Sequence, residues 1–323
     1  MRVLVRPGAF QSRYRLELCV LAWLAGIGRH RVVPFPDGAD AAWRAWLDDG
    51  TRAAWDDAVR DSLEREALTS ARWEIAVDDV RNAAWAQPTP VLPLSYALDL
   101  LLQPYRVVLE NNVNDRGFLL AMASARQRDV LSNAESRAWL VFEMGGGTTV
   151  VPRVREIRQS EAARRACSVL IDSDAMRPPG PEKTLADVEG RQAAAVRKEA
   201  ADAVHLKVLE RRAIENYLPL ATLRRWAGEK ADRARMVKAF EHLSEPQQRY
   251  FNMKEGFAKD APNRGRAGTL YDGVESRVRE RLDGGFGTDI ARLFQRGVRE
   301  TEVDFDAARE VRAFVDELLE RMR

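Results

Sequence analysis

Ser168-Val169-Leu170-Ile171-Asp172-Ser173-Asp174 is the stretch that decides the fold. A short apolar run that stops at an acid reads as a buried parallel strand, and parallel sheets carry their functional groups at the carboxyl ends of their strands. A second run of this kind, Arg106-Val107-Val108-Leu109, ends in Glu110. Three carboxylates are therefore expected to converge on one sheet edge. Residues two apart on an extended strand share a face, so Asp172 and Asp174 are expected to point the same way with Ser173 turned aside. That geometry suits a hard divalent cation held by carboxylate oxygens, magnesium first and manganese as its substitute.

Around these two runs, residues 104–220 alternate between strand and helix patterns. After the strand at 106–109, Asn114-Asp115 reads as a cap opening a helix that carries Phe118, Leu119, Leu120 and Met122. Trp139 to Phe142 reads as a second strand running into Glu143-Met144-Gly145-Gly146-Gly147-Thr148-Thr149. A helix through Ile157 to Ala166, the Asp172 strand, a polar helix from Leu185 to Ala203 and a fourth strand at Val204 to Leu209 follow. Strands joined by crossover helices predict an α/β fold, a mostly parallel four-stranded sheet flanked by helices. The glycine run lacks the lysine of a P-loop, and no GxxxxGK[ST] occurs in the chain, so its expected use is close backbone approach to the acids or to a phosphate.

The flanking regions read as helical. Residues 1–100 are tryptophan-rich, with Trp43, Trp46 and Leu47 on one face and Trp55, Val59 and Leu63 on another, the spacing of core stripes rather than of base-stacking platforms. Within this region Glu74 to Val80 is a candidate strand, and the proline-rich Gln87 to Pro93 a boundary. Leu18 to Ile27 is apolar, but a run of about ten residues falls short of a membrane span and predicts a buried helix. Residues 221–323 read as helical, interrupted at Asp260 to Gly268 and at Gly284-Gly285.

With 323 residues and 46% hydrophobic content, the chain can build a full core. The formal charge of +2 gives no global field toward nucleic acid, so any basic surface is local. Lysines number seven. This makes Lys254, in Phe251-Asn252-Met253-Lys254-Glu255-Gly256-Phe257, stand out as a candidate cation, alongside Lys207, Arg211 and Arg212 around the fourth strand. Cys19 and Cys167 lie in apolar runs with no CxxC spacing, as expected of core residues in a reducing, cytoplasmic compartment.

Four strands with a glutamate after the first and an Asp-x-Asp after the third resemble the Toprim fold, shared by topoisomerases, bacterial primases and the overcoming-lysogenization-defect (OLD) nucleases. The resemblance sharpens at Leu209-Glu210-Arg211-Arg212-Ala213-Ile214-Glu215-Asn216-Tyr217-Leu218, which is similar to the arginine-rich segment after the last Toprim strand of OLD-like nucleases and related phage-defence proteins. It covers residues 104–220. The pattern departs at the turn after the first strand, where Glu110-Asn111 replaces Glu-Gly and Asp115 stands five residues beyond the glutamate instead of four; Asn111 is expected to supply the left-handed turn conformation.

This resemblance implies a magnesium-dependent endonuclease that hydrolyses phosphodiester bonds of DNA or RNA, tRNA included. Asp172 and Asp174 would be the primary metal ligands, Glu110 a ligand or general base, Glu215 a ligand to a second metal and Lys254 a transition-state cation. Classical OLD proteins carry an ATPase ahead of the Toprim domain. A stand-alone effector of this kind implies regulation by a separately encoded ATPase or sensor in an anti-phage system, with no membrane partner; a homo-oligomer is left open. The competing expectation is a non-catalytic Toprim-like scaffold that binds a partner ATPase or nucleic acid.

Overall fold

The computed structural model describes residues 1–71, 73–295 and 297–322, with the backbone alone at Thr148. The chain is α/β and forms two compact units. One is built mainly from Met1–Tyr105, the other from Arg106–Glu135 and Leu140–Asp316.

In the first unit, strands β1 (Arg2–Val5), β2 (Arg31–Pro34), β3 (Glu74–Asp78) and β4 (Val91–Pro93) form a parallel sheet in the order β2-β1-β3-β4. This corrects the expectation of a mainly helical region. Three of these strands are only three or four residues long, too short for a period-two signal, and the two that end in proline lie at the sheet edges, where a missing N–H costs no ladder bond. The helix Asp49–Leu68 starts at Asp48, whose carboxylate accepts the Thr51 N–H at 2.9 Å. Its Trp55 is buried edge-on against Trp43 (4.9 Å between ring centres) and Phe10 (5.9 Å), and donates its indole N–H to Asp40. Tryptophan-rich spacing thus becomes core, as expected for Trp43 and Trp55. Trp46, expected on the same face as Trp43, is instead exposed, because the short helix Ala41–Arg44 has ended before it.

The second unit holds β5 (Tyr105–Leu109), β6 (Leu140–Met144), β7 (Cys167–Ile171) and β8 (His205–Val208) in the order β6-β5-β7-β8. β7 is parallel to both its neighbours, with Leu109 opposite Leu170 and Ile171 opposite Val208. Lying between two strands and under helices on each face, β7 is buried at every residue, which is why its sequence is continuously apolar. On one face Val108, Val169 and Ile171 pack with Val154 and Ile157 of the helix Val150–Gln159 and with Ala193 and Val196 of the helix Arg191–Ala200. Each fully buried valine contributes roughly 1.5–3 kcal/mol. His205 is structural: it pairs with Ser168 Oγ across β7 and β8 and stacks on Phe314.

The chain from residue 220 to Asp316 belongs to this same unit, with no break near residue 220. Among the described residues no helix is long and apolar enough to cross a membrane.

Candidate active site

The register of β5 against β7 puts Glu110 level with Ile171, one residue before Asp172, so the two acids lie close together just past the ends of adjacent strands. The Glu110 carboxyl lies beside the Asp172 backbone, and one Asp172 oxygen accepts the Ile214 N–H at 3.0 Å. The strand stops at Ile171, so Asp172 and Asp174 do not share a strand face as expected. Ser173 turns inward, buried, and donates to the Arg211 carbonyl at 2.8 Å, while Asp174 takes a left-handed conformation with φ of 50°. Gly190 is needed opposite it: a Cβ there would lie 2.3 Å from the Asp174 Cβ. The turn re-aims Asp174 toward the cluster, where its charge acts on Glu110.

Asn111 has no left-handed backbone; its side-chain oxygen instead accepts the N–H groups of Val113 (3.1 Å) and Asn114 (3.0 Å). Thus Asn111, not Asn114-Asp115, opens the helix Asn114–Met122. Asp115, in the first turn, is buried, reaches back to accept the Asn111 N–H at 2.8 Å and lies among the acids. The spacing from Glu110 had marked it, but its place at a helix start allowed an ordinary cap. The glycine run closes on the same turn: a Cβ on Gly146 would sit 1.9 Å from the Glu110 carbonyl oxygen, and one on Gly145 2.4 Å from Val108.

Glu215 lies in the one-turn 3-10 helix Ile214–Tyr217, 1% exposed. Its neighbours fix it: Asn216 donates to the carbonyls of Gln248 (2.8 Å) and Phe251 (2.9 Å), and Arg211 stacks on Tyr217 and donates to the Asn216 carbonyl at 2.7 Å. Asn216 thereby ties Glu215 to the turn that carries Lys254. That turn is pinned in its own right, because a Cβ on Gly256 would collide with the Leu282 carbonyl at 2.2 Å and one on Gly285 with the Gly256 nitrogen at 2.6 Å. Lys254 Nζ reaches Glu215 Oε1 at 3.1 Å. The other candidate cations are engaged elsewhere: Lys207 with Glu310 at 2.8 Å and Arg212 with Asp260 at 2.8 Å.

The five residues chosen from sequence thus come together, with Asp115 as a sixth. Burial, then the charges of Asp174 and Asp115, push the Glu110 carboxyl up to about 7. Burial raises Asp115 to about 6 and drives Asp172 well above the carboxylate range, with Glu110 and Glu215 adding to the Asp172 shift. Lys254 is held more firmly protonated by Glu215 and Asp172, against the opposing effect of its burial.

No family model matches the chain, and no curated protein or solved structure is significantly similar to it. The chemistry of the site therefore rests on its own residues.

Among the described residues no three histidine, cysteine or acidic side chains form a ready-made metal cage. The donor set nevertheless suits a hard cation. Both Glu215 oxygens are buried without a hydrogen bond of good geometry, Oε1 meeting only the ammonium of Lys254. A buried carboxylate with unmet lone pairs, facing acids that resist ionising together, is a cluster short of positive charge. A cleft of about 310 Å³ opens on it, lined by Asp174, Glu215, Lys254, Lys259, Asn263 and Arg266.

Proposed function

We propose that the chain is a metal-dependent phosphodiesterase acting on DNA or RNA as an endonuclease of Toprim type, similar to the OLD nucleases. The observation that carries this reading is the union, at the ends of parallel strands, of Glu110, Asp115, Asp172, Asp174 and the hydrogen-bond-starved Glu215 with one contacting lysine. The non-catalytic scaffold reading gains no comparable support, since such crowding of acids is costly without a cation to offset it.

Asp172, Asp174 and Glu110 are the residues to hold magnesium or manganese, and Glu215, with Asp115 beside it, the residues for a second ion. Bound there, the metal would activate water and neutralise charge on the phosphoryl oxygens. The protein's own contribution is positional. The Ile214 N–H orients Asp172, which stands beside Glu110. Glu110 stands beside Asp172, placed to hold the ion or to take a proton from the attacking water. Lys254 puts a permanent positive charge where a phosphoryl oxygen approaching the acids would meet it.

Regulation by a separately encoded ATPase or sensor in an anti-phage system remains part of the proposal by resemblance. The reaction is tested with bis(p-nitrophenyl) phosphate: manganese-dependent release of p-nitrophenol, lost with EDTA and in Asp172→Ala, supports it, and release that persists in Asp172→Ala overturns the site.

A further inference from the structure

The segment Asp260 to Gly268, expected to interrupt the helices but itself built of the short turns Ala261–Asn263 and Arg264–Ala267, separates two adjoining hollows that share Met176 and Asp260. The smaller is the acid cleft. The larger, about 890 Å³, lies on the far side of the segment and falls within the roughly 300–1,000 Å³ of small-molecule sites. Its floor is aromatic: Phe257 meets Tyr271 edge-on at 5.1 Å, and the Arg279 guanidinium lies over Phe257 at 5.1 Å. Its rim carries the carboxylates of Asp272, Glu280 and Asp283, all exposed, together with Arg264, which has no acidic partner among the described residues.

The dividing segment is held in place. Arg266 donates to the carbonyls of Asp174 (3.1 Å) and Glu189 (3.4 Å), and Asp260 pairs with Arg212 at 2.8 Å. The same segment therefore borders the Asp174 turn on one side and the aromatic hollow on the other.

We propose that this hollow takes one unpaired base of the strand whose phosphate lies at the acids, so that the chain selects single-stranded or looped nucleic acid over continuous duplex. The inference rests on the phosphodiesterase reading and names its substrate class. A flat ring stacks on aromatic and guanidinium surfaces, while a base inside a duplex has both faces and its pairing edge occupied. Removing a base from the stack costs a few kcal/mol, a cost absent where the strand is already unpaired. The carboxylates of the rim accept hydrogen bonds and repel anions. They fit the amino groups of guanine, adenine or cytosine and not a phosphate, which the neighbouring cleft with Lys254, Lys259 and Arg266 suits instead.

The test is fluorescence anisotropy in calcium, an oxygen-seeking cation used in place of magnesium so that the acids are neutralised while cleavage is suppressed, with a labelled mixed-sequence single strand of about 15 nucleotides, its duplex, oligo-dT and a strand of abasic residues. The expected result is at least ten-fold tighter binding of the mixed single strand than of the other three, with that preference reduced at least ten-fold in Arg264→Glu and in Phe257→Leu, the former an exposed substitution that spares the core. Equal binding of single strand and duplex, undiminished binding of the abasic strand, or no binding of any strand overturns the base site. Hydrolysis of bis(p-nitrophenyl) phosphate, which has no base, should be unchanged in Arg264→Glu. Base-dependent binding without any metal-dependent hydrolysis would overturn the reaction and leave the base site standing.

Discussion

Lys254 Nζ and Glu215 Oε1, 39 positions apart in the chain, stand 3.1 Å from one another, and the glutamate is almost wholly buried. Neither residue lies on a sheet strand. Asn216 on one side and the Gly256–Gly285 contact on the other bring the two turns together.

Removing the lysine should leave a buried carboxylate uncompensated. Breaking a buried pair costs about 3–5 kcal/mol, and the exposure of Lys254 reduces this to roughly 2 kcal/mol. Lys254→Met is expected to lower the unfolding midpoint in EDTA and to abolish cleavage. Lys254→Met with Glu215→Gln should recover the stability but not the cleavage. Denaturant titration of both variants checks this; equal stability of Lys254→Met and wild type would show that the pair carries no weight.

Stability of the metal-free protein should fall as pH rises from about 4.5 to 7. Glu110 and Asp115 have folded-state values of about 7 and 6, above their ordinary 4.5 and 3.8, so the native chain holds more protons than the unfolded chain in that window. Lys254 stays charged throughout and contributes no slope. The loss is on the order of 3 kcal/mol at about 1.4 kcal/mol per unit, after allowance for coupling. Magnesium should restore stability at pH 8 more than at pH 5. Thermal unfolding in EDTA across this range decides it, and a flat or rising profile would contradict the crowding of these acids.

Alanine at Gly146 should act by collision alone. This residue has an ordinary extended backbone, φ −67° and ψ 161°, yet its Cβ would meet the Glu110 carbonyl oxygen at 1.9 Å. Overpacking of this kind costs about 1–3 kcal/mol and would displace Glu110, so activity should drop with stability. Gly147→Ala meets open space at a left-handed φ of 61° and should cost about 1 kcal/mol while sparing activity. Cleavage rates of the two variants, compared at equal folded fraction, separate the effects.

Asp115→Asn keeps an acceptor for the Asn111 N–H while removing one charge from the cluster. It should stabilise the protein in EDTA at pH 8 and weaken magnesium or manganese binding about ten-fold, as loss of a metal-orienting group does. Denaturant unfolding in EDTA checks the first and isothermal titration the second, and unchanged affinity would return Asp115 to a purely structural role.

Much of this site was legible in sequence because its acids sit where strands end. Glu110 follows β5 and Asp172 follows β7, and an all-apolar run cut off by an acid is a local signal. The sheet of the first unit was hidden, apart from β3, because β1, β2 and β4 are too short to show a period. Asp174 reaches the cluster through a left-handed turn and not by the strand alternation that its spacing predicts. The place of Asp115 is not legible in sequence, because whether Asn111 or Asn114 opens the helix depends on hydrogen bonds that spacing does not encode. The pairing of Lys254 with Glu215 is a long-range contact with no periodicity, and lysine scarcity marks Lys254 but not its partner.

The central claim is tested most directly by incubating the purified full chain with plasmid, linear DNA and total tRNA in magnesium, manganese or EDTA, beside Asp172→Ala. The account predicts cleavage of at least one substrate with either metal, none in EDTA and none by Asp172→Ala, whose fold should persist because it relieves an acidic cluster. Cleavage that survives EDTA or Asp172→Ala, or no cleavage of any substrate by wild type, would contradict it.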